Sequence, residues 1–232
     1  MPNSKIENVQ KIAFFDVDET IINSKSMFDF LRFYLERKRG YLGTAQYQIY
    51  WSMCKSFVKL GISRDNINSL YYRLYRGESY QRLMLIGQAW YAQRKQQKDF
   101  FIQPSVDRLI KLKNDGYDIV FVSGSFRPCL EPLAQALNVN TILCAELIVN
   151  DDVISGKLSQ QAIGNKKARL IHSLLEATGV NPKDCYAFGD HISDLAMLKM
   201  VGHPIVVANC PELIDIAEHN HWEQIKYIKE PV

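Results

Sequence analysis

The chain is short of long hydrophobic runs. None of its apolar stretches approaches the ~20 residues a bilayer span requires, so no membrane span is expected. The first ten residues, MPNSKIENVQ, have no apolar core of the kind a signal peptide carries. Cysteine is sparse and scattered. Cys54, Cys129, Cys144, Cys185 and Cys210 are odd in number and form no CxxC pair, which argues against a disulfide frame or a zinc site and for reduced thiols in a cytoplasmic protein. Neither GxxxxGK[ST] nor a GxGxxG after a strand occurs, which removes the P-loop and dinucleotide-binding classes. Repeats and low-complexity tracts are absent too.

What is present is a 232-residue, 47% hydrophobic chain, long enough for one domain with a large insertion. Its net charge of +3 is unevenly spread. Residues 25–100 hold 14 Lys/Arg against 5 Asp/Glu and 16 of the 26 aromatics, whereas the remainder holds 14 against 20. A basic, aromatic insert therefore sits between acidic stretches. Such a segment is either a solvated basic face or a surface that attracts anions.

The periodicities divide the chain the same way. Lys11–Val17 reads as a buried strand, too short and too uniformly apolar for an amphipathic helix. From Ser26 to about Phe101 the pattern is helical, in four segments punctuated by Gly40, Gly61 and Gly77, with Ser63 a helix cap. Beyond it strands alternate with helices. Tyr117–Ser123, TILCAEL, DCYAFGD and HPIVVAN read as strands, ISDLAMLKMVG (192–202) reads as a helix, and a hairpin is expected to turn at Asn150–Asp152. The expected fold is α/β: a Rossmann-like parallel sheet with helices on both faces, and an all-helical cap inserted after the first strand. The predicted boundaries are 1–24 and 102–232 for the core and 25–101 for the cap.

In such sheets ligands bind where strands end. Three strands end in polar clusters: Asp16 and Asp18 after the first, Ser123-Gly124-Ser125 after a second, and Gly189-Asp190 with Asp194 after a later one. Bare carboxylates at an apolar rim cost several kcal/mol each, so either they are exposed or a cation offsets them. Hard oxygen donors of this kind suit Mg²⁺.

Taken together, DVDET (16–20), VSGS (122–125), Lys167 and GDHISD (189–194) resemble the four motifs of the haloacid dehalogenase superfamily of phosphatases, in order and spacing. The helical insert after the first motif resembles the phosphoserine-phosphatase-like branch. The resemblance implies a role for each matched residue. Asp16 would be a nucleophile that becomes phosphorylated, and Asp18 a general acid and base. Ser123 and the Gly124 amide would hold the phosphoryl group. Lys167, with Lys166 as fallback, would neutralise charge. Asp16, the Asp18 carbonyl, Asp190 and a supporting Asp194 would hold Mg²⁺. Glu19 stands where many relatives have a small residue or glycine, and is expected to be structural.

The cap should choose the substrate. In phosphoserine phosphatases a glutamate nine positions after the nucleophile pairs with the substrate ammonium; here that position is Lys25. The substitution disfavours an amine and favours a small anionic phosphorylated metabolite. Arg64, Arg73 and Arg76 are candidate anion clamps. Phe28, Phe30, Phe33, Tyr34, Tyr72 and Tyr75 are expected to pack cap helices together. Two alternatives stand beside hydrolysis: a phosphotransferase of the same chemistry, and a binding module for anionic lipid or nucleic acid built on a vestigial core. The intact acid set argues against the vestigial core, and no nucleic-acid partner is expected.

Overall fold

The structure, a computed structural model, describes residues 11–207 and 210–227, without the side chains of residues 64 and 65. Among the described residues, seven strands form one sheet in the order β4-β3-β2-β1-β5-β6-β7. The four central and right-hand strands are β1 (Ile12–Phe15), β2 (Asp118–Phe126), β5 (Tyr186–Gly189) and β6 (His203–Val207). β3 (Thr141–Asn150) pairs parallel to β2, β4 (Val153–Gln160) closes one edge antiparallel to β3, and β7 (Glu223–Ile225) closes the other.

Alternation sorts the strand side chains between two layers. Ala13 and Phe15 of β1, with Ile119 and Phe121 of β2, face one layer, which is covered by α5 (Gln103–Asn114) and α6 (Arg127–Ala136). Ile12, Phe14, Val120 and Val122 face the other, covered by α7 (Asn165–Thr178), the short α8 (Leu195–Leu198) and α9 (Pro211–His219). Each phenylalanine so enclosed contributes roughly 2–3 kcal/mol of transfer free energy.

The insert consists of α1 (Ser26–Arg39), α2 (Tyr41–Lys59), α3 (Arg64–Arg73) and α4 (Tyr80–Arg94). It leaves and rejoins the sheet at one place: Asn23 donates its amide to the Phe100 carbonyl, and Ile102 donates to Ile21. Gly40, at φ 54°, separates α1 from α2 in a conformation that costs a residue with a Cβ. The Ser63 hydroxyl caps α3 by accepting from the Asn66 amide, as the sequence suggests.

Phe126, at the end of β2, fixes the insert to the sheet. The rings of Phe30, Tyr71, Tyr72 and Tyr75 lie 5.4–5.9 Å from it, mostly edge to face. α4 lies flat on α6 because Gly87 lacks a side chain: a Cβ there would come within 1.9 Å of the Pro128 carbonyl oxygen.

Two expectations need correction. The expected separate strand and hairpin after α6 are one continuous hairpin, β3–β4, turning through Asp151 and Asp152, both at positive φ as a type I′ turn requires. The expected helix over 192–202 shrinks to a single 3₁₀ turn (Ile192–Asp194) followed by the four residues of α8. β7 was not anticipated.

Candidate active site

β1 delivers Asp16 from inside the sheet: its amide still donates to the Phe188 carbonyl of β5, 2.9 Å away. The chain then folds back sharply. Ile21 and Ile22 donate to the Val17 carbonyl, and Glu19 adopts φ 59°, a conformation glycine adopts more readily. That geometry explains why a small residue suits this position, and it sends the Glu19 side chain to an ion pair with Lys25 at 3.3 Å.

The carboxylates of Asp16, Asp190 and Asp194 converge so that one oxygen of each lies within 4.8 Å of the others, and all three residues are buried. Lys167, in the first turn of α7 and itself buried, reaches across from the other side of the cluster. Its Nζ is 2.5 Å from Asp16 Oδ1 and 2.7 Å from Asp194 Oδ1. Lys166 bonds Gln161, whereas it is Lys167 that bonds Asp16 and Asp194. Asp194 is anchored further by the His191 amide, 3.4 Å from Oδ2, and His191 itself caps the 3₁₀ turn through Nδ1. Gly189 makes room for this acid: a Cβ there would lie 2.7 Å from Asp194 Cβ.

One lysine does not balance three carboxylates. Burial pushes the Asp16 carboxyl well up, Lys167 opposes it, and the neighbouring acids add to the rise. Asp190 is pushed up to about 7, by burial first and by Asp194 next. Lys167 is held charged, the attraction of Asp16 and Asp194 outweighing its burial. Buried oxygen donors with surplus negative charge are the surroundings a hard divalent cation fits.

Asp18 stands apart from this cluster. Burial raises it to about 6, while the Ser26 hydroxyl and amide pull it back down. Its Oδ1 is enclosed without a hydrogen-bond partner among the described residues. Its carboxylate is not one of the three that converge.

Ser123 is buried at the end of β2, where a register shift between Ser123 and Phe126 bulges the strand. The bulge turns the Ser125 amide onto Ser123 Oγ at 3.1 Å, which leaves the Ser123 hydroxyl proton unspent by that bond. Ser125 and Ser26 hydroxyls meet at 2.8 Å, so a serine chain links this bulge to Asp18. Gly124 serves contact with its neighbours: a Cβ would come 2.9 Å from Ile163 Cγ1, and its carbonyl accepts from Tyr72 of the insert at 3.0 Å.

Arg73 and Arg76 are exposed, their main chain and Cβ packed on Gly156 of β4. The side chain of Arg64 lies outside the described residues. Lys25 is at the rim, its charge engaged by Glu19. Thr20 was not singled out from the sequence, yet its hydroxyl bonds Asp190 at 3.2 Å and Asp16 at 3.5 Å. Its signal was the four-residue spacing from Asp16 on the tight turn. Ser26, whose role depends on a partner 99 residues away, had none.

Comparison with known proteins follows this geometry. A family model of haloacid dehalogenase-like hydrolases matches residues 13–199, a span holding all the acids, Ser123 and Lys167. A probable phosphatase of Mycobacterium tuberculosis is 35% identical over 103 residues, which are 44% of this chain and 36% of that protein. The chain thus spans little more than a third of that relative's length. An inhibition of morphological differentiation protein of Streptomyces azureus is 29% identical over 210 residues, 84% of this chain and 70% of its own. Phosphoserine phosphatase of Methanocaldococcus jannaschii is 30% identical over 125 residues, 51% of this chain and 59% of that one. Among solved structures, a Bordetella pertussis protein of unknown function superposes with a TM-score of 0.83 at 18% identity, covering 94% of this chain and 99% of that one. A substrate-bound phosphoserine phosphatase does so with 0.63 at 19% identity, covering 90% and 91%. At such identities the structural likeness is one of fold. The family match, spanning residues 13–199 and so most of the sheet, makes this chain a member of the haloacid dehalogenase-like hydrolase family.

Proposed function

We propose that the protein is a Mg²⁺-dependent phosphatase that hydrolyses a small anionic phosphomonoester through an aspartyl-phosphate on Asp16. The observation that carries this reading is the convergence of Asp16, Asp190 and Asp194 on one buried point, with Lys167 bonded to two of them. Asp16, Asp190 and the Asp18 carbonyl would hold the cation, with Asp194 in support. When bound, it offsets the carboxylate charge and polarises the phosphoryl oxygens.

The residues divide the chemistry between them. Asp16 Oδ attacks phosphorus as the bond to the leaving oxygen breaks. Asp18, with a buried oxygen that has no partner among the described residues, gives its proton to that leaving oxygen. The resulting Asp18 carboxylate then takes a proton from the water that attacks the aspartyl-phosphate, which releases phosphate and restores Asp16. Lys167 keeps its proton throughout and neutralises charge on the nucleophile. The Ser123 hydroxyl donates to a phosphoryl oxygen. An anionic leaving group is favoured by the basic balance of the insert, 14 Lys/Arg against 5 Asp/Glu over residues 25–100.

The decisive test is Asp16→Asn assayed with p-nitrophenyl phosphate and Mg²⁺. Phosphate release should fall to background while circular dichroism and the melting midpoint show a folded protein. Turnover at the wild-type rate would refute the reading.

A further inference from the structure

The longest helix among the described residues has one face that covers nothing. α2 runs 19 residues, ~28 Å at 1.5 Å per residue. Its inner face packs on α1 and touches α3: Gly43 lies so near α1 that a Cβ would meet the Leu35 carbonyl oxygen at 1.9 Å, and Tyr50 and Cys54 are buried. The opposite face carries Tyr41, Leu42, Ala45, Ile49 and Met53, with Leu60 just past its end, at the spacing that aligns side chains on one side of a helix. The five large residues of this row are 39–88% exposed. Six of the ten large hydrophobics that stand exposed among the described residues lie between positions 41 and 60. Scattered exposed leucines are ordinary; an apolar row concentrated on one helix marks a docking surface.

Charge identifies the occupant. From Arg37 to Arg64 the chain has six Lys/Arg and no Asp or Glu. Lys55 and Lys59 lie along one flank of the apolar row, and Arg37 and Arg39 stand at the α1 end beside it. None of these four makes an ion pair among the described residues. A second copy of the chain docked through α2 would bring two acid-free basic surfaces together, which like-charge repulsion opposes. An anionic bilayer complements both features, since it takes an apolar stripe into its interface and basic side chains onto its headgroups. No helix among the described residues is long and apolar enough to cross a membrane. The surface is suited to lying on one.

We propose that the outer face of α2 docks the protein on anionic lipid membranes through Leu42, Ile49 and Leu60, flanked by Lys55 and Lys59. This surface is independent of the acid cluster, so its test does not depend on the phosphatase reading. The full chain is mixed with sucrose-loaded vesicles of phosphatidylglycerol and phosphatidylcholine in equal parts, or of phosphatidylcholine alone, and sedimented. Co-sedimentation with the mixed vesicles only, weakening as salt rises, is expected. Lys55→Glu with Lys59→Glu should lower the partition coefficient at least about tenfold, given ~5-fold per basic residue at such a surface. Leu42→Ser with Ile49→Ser should lower it comparably. All four positions are exposed, so melting midpoints and turnover of p-nitrophenyl phosphate should match wild type. Failure to bind the mixed vesicles, binding indifferent to these substitutions, or sedimentation-velocity evidence of a dimer dissolved by them would each overturn the proposal.

Discussion

The Lys167 ammonium sits 2.5 Å from an Asp16 carboxylate oxygen, although 151 positions of chain separate them. Removing it leaves three buried acids facing one another. Lys167→Met should lower turnover of an aryl phosphate ~10²–10³-fold, in the range of losing one preorganised stabiliser of charge. It should also cost about 3–5 kcal/mol of stability, the usual penalty for leaving a buried charge uncompensated. Urea denaturation beside steady-state kinetics reads both, and a variant of wild-type stability would contradict the ion-pair geometry.

The surplus of acid at this point predicts how the protein responds to a divalent ion. Millimolar Mg²⁺ should raise the melting midpoint of the wild type, because a ligand that binds the folded state alone stabilises it by mass action. Asp190→Asn, by removing one of the converging carboxylates, should abolish most of that rise, and chelation by EDTA should reverse it in the wild type. A Mg²⁺ response of full size in the variant would show that the ion binds elsewhere.

Gly87 is where the insert meets α6 at backbone distance. Gly87→Ala forces a methyl group against the Pro128 carbonyl, which neither a rotamer change nor a flexible neighbour relieves. The expected cost is about 2–3 kcal/mol, with faster hydrogen exchange along α4 and α6. Unchanged protection in those helices would mean that the two do not pack as described.

Asp152 ties the β3–β4 turn to the start of α4. Its carboxylate accepts from the Ser79 hydroxyl at 2.5 Å and the Gln81 amide at 2.8 Å, and these bonds hold its pKa below the ordinary aspartate range. A lowered folded-state pKa stabilises the fold above the unfolded value of about 3.9, and that contribution disappears as pH falls through the lower folded value. Asp152→Asn keeps a residue tolerant of positive φ while removing the charge. The variant should therefore melt below wild type at pH 6, with the gap closing towards pH 3. A gap independent of pH would assign the effect to the turn and exclude the carboxylate.

The acid motifs were legible because each follows a buried strand, and parallel topology sends successive strand ends to one rim. Asp16, Asp190, Asp194 and Ser123 needed only that rule, whereas Lys167, on a helix, was singled out by the resemblance to the family's motifs. The placement of Arg73 and Arg76 was not legible because charge alone does not say which side of a helix faces the sheet; Gly156, on which they pack, lies 80 residues beyond Arg76. β7 escaped notice because Glu223–Ile225 is three residues of mixed polarity, paired only by an edge that tertiary structure supplies. Lys25 was read as a bare cation, and the φ of Glu19 that turns an acid towards it has no signature in one sequence.

Ser123 and Phe126 stand three positions apart on the same bulged strand end, one bonded through its hydroxyl to the Ser125 amide and the other gripped by four rings of the insert. The helical insert is in this sense a lever bolted to the catalytic floor. Any tilt of the helices is transmitted through a two-residue bulge to the Ser123 hydroxyl, so if that hydroxyl holds the phosphoryl group as proposed, a new substrate range evolved in the insert will carry a turnover penalty unless the Phe126 socket is preserved.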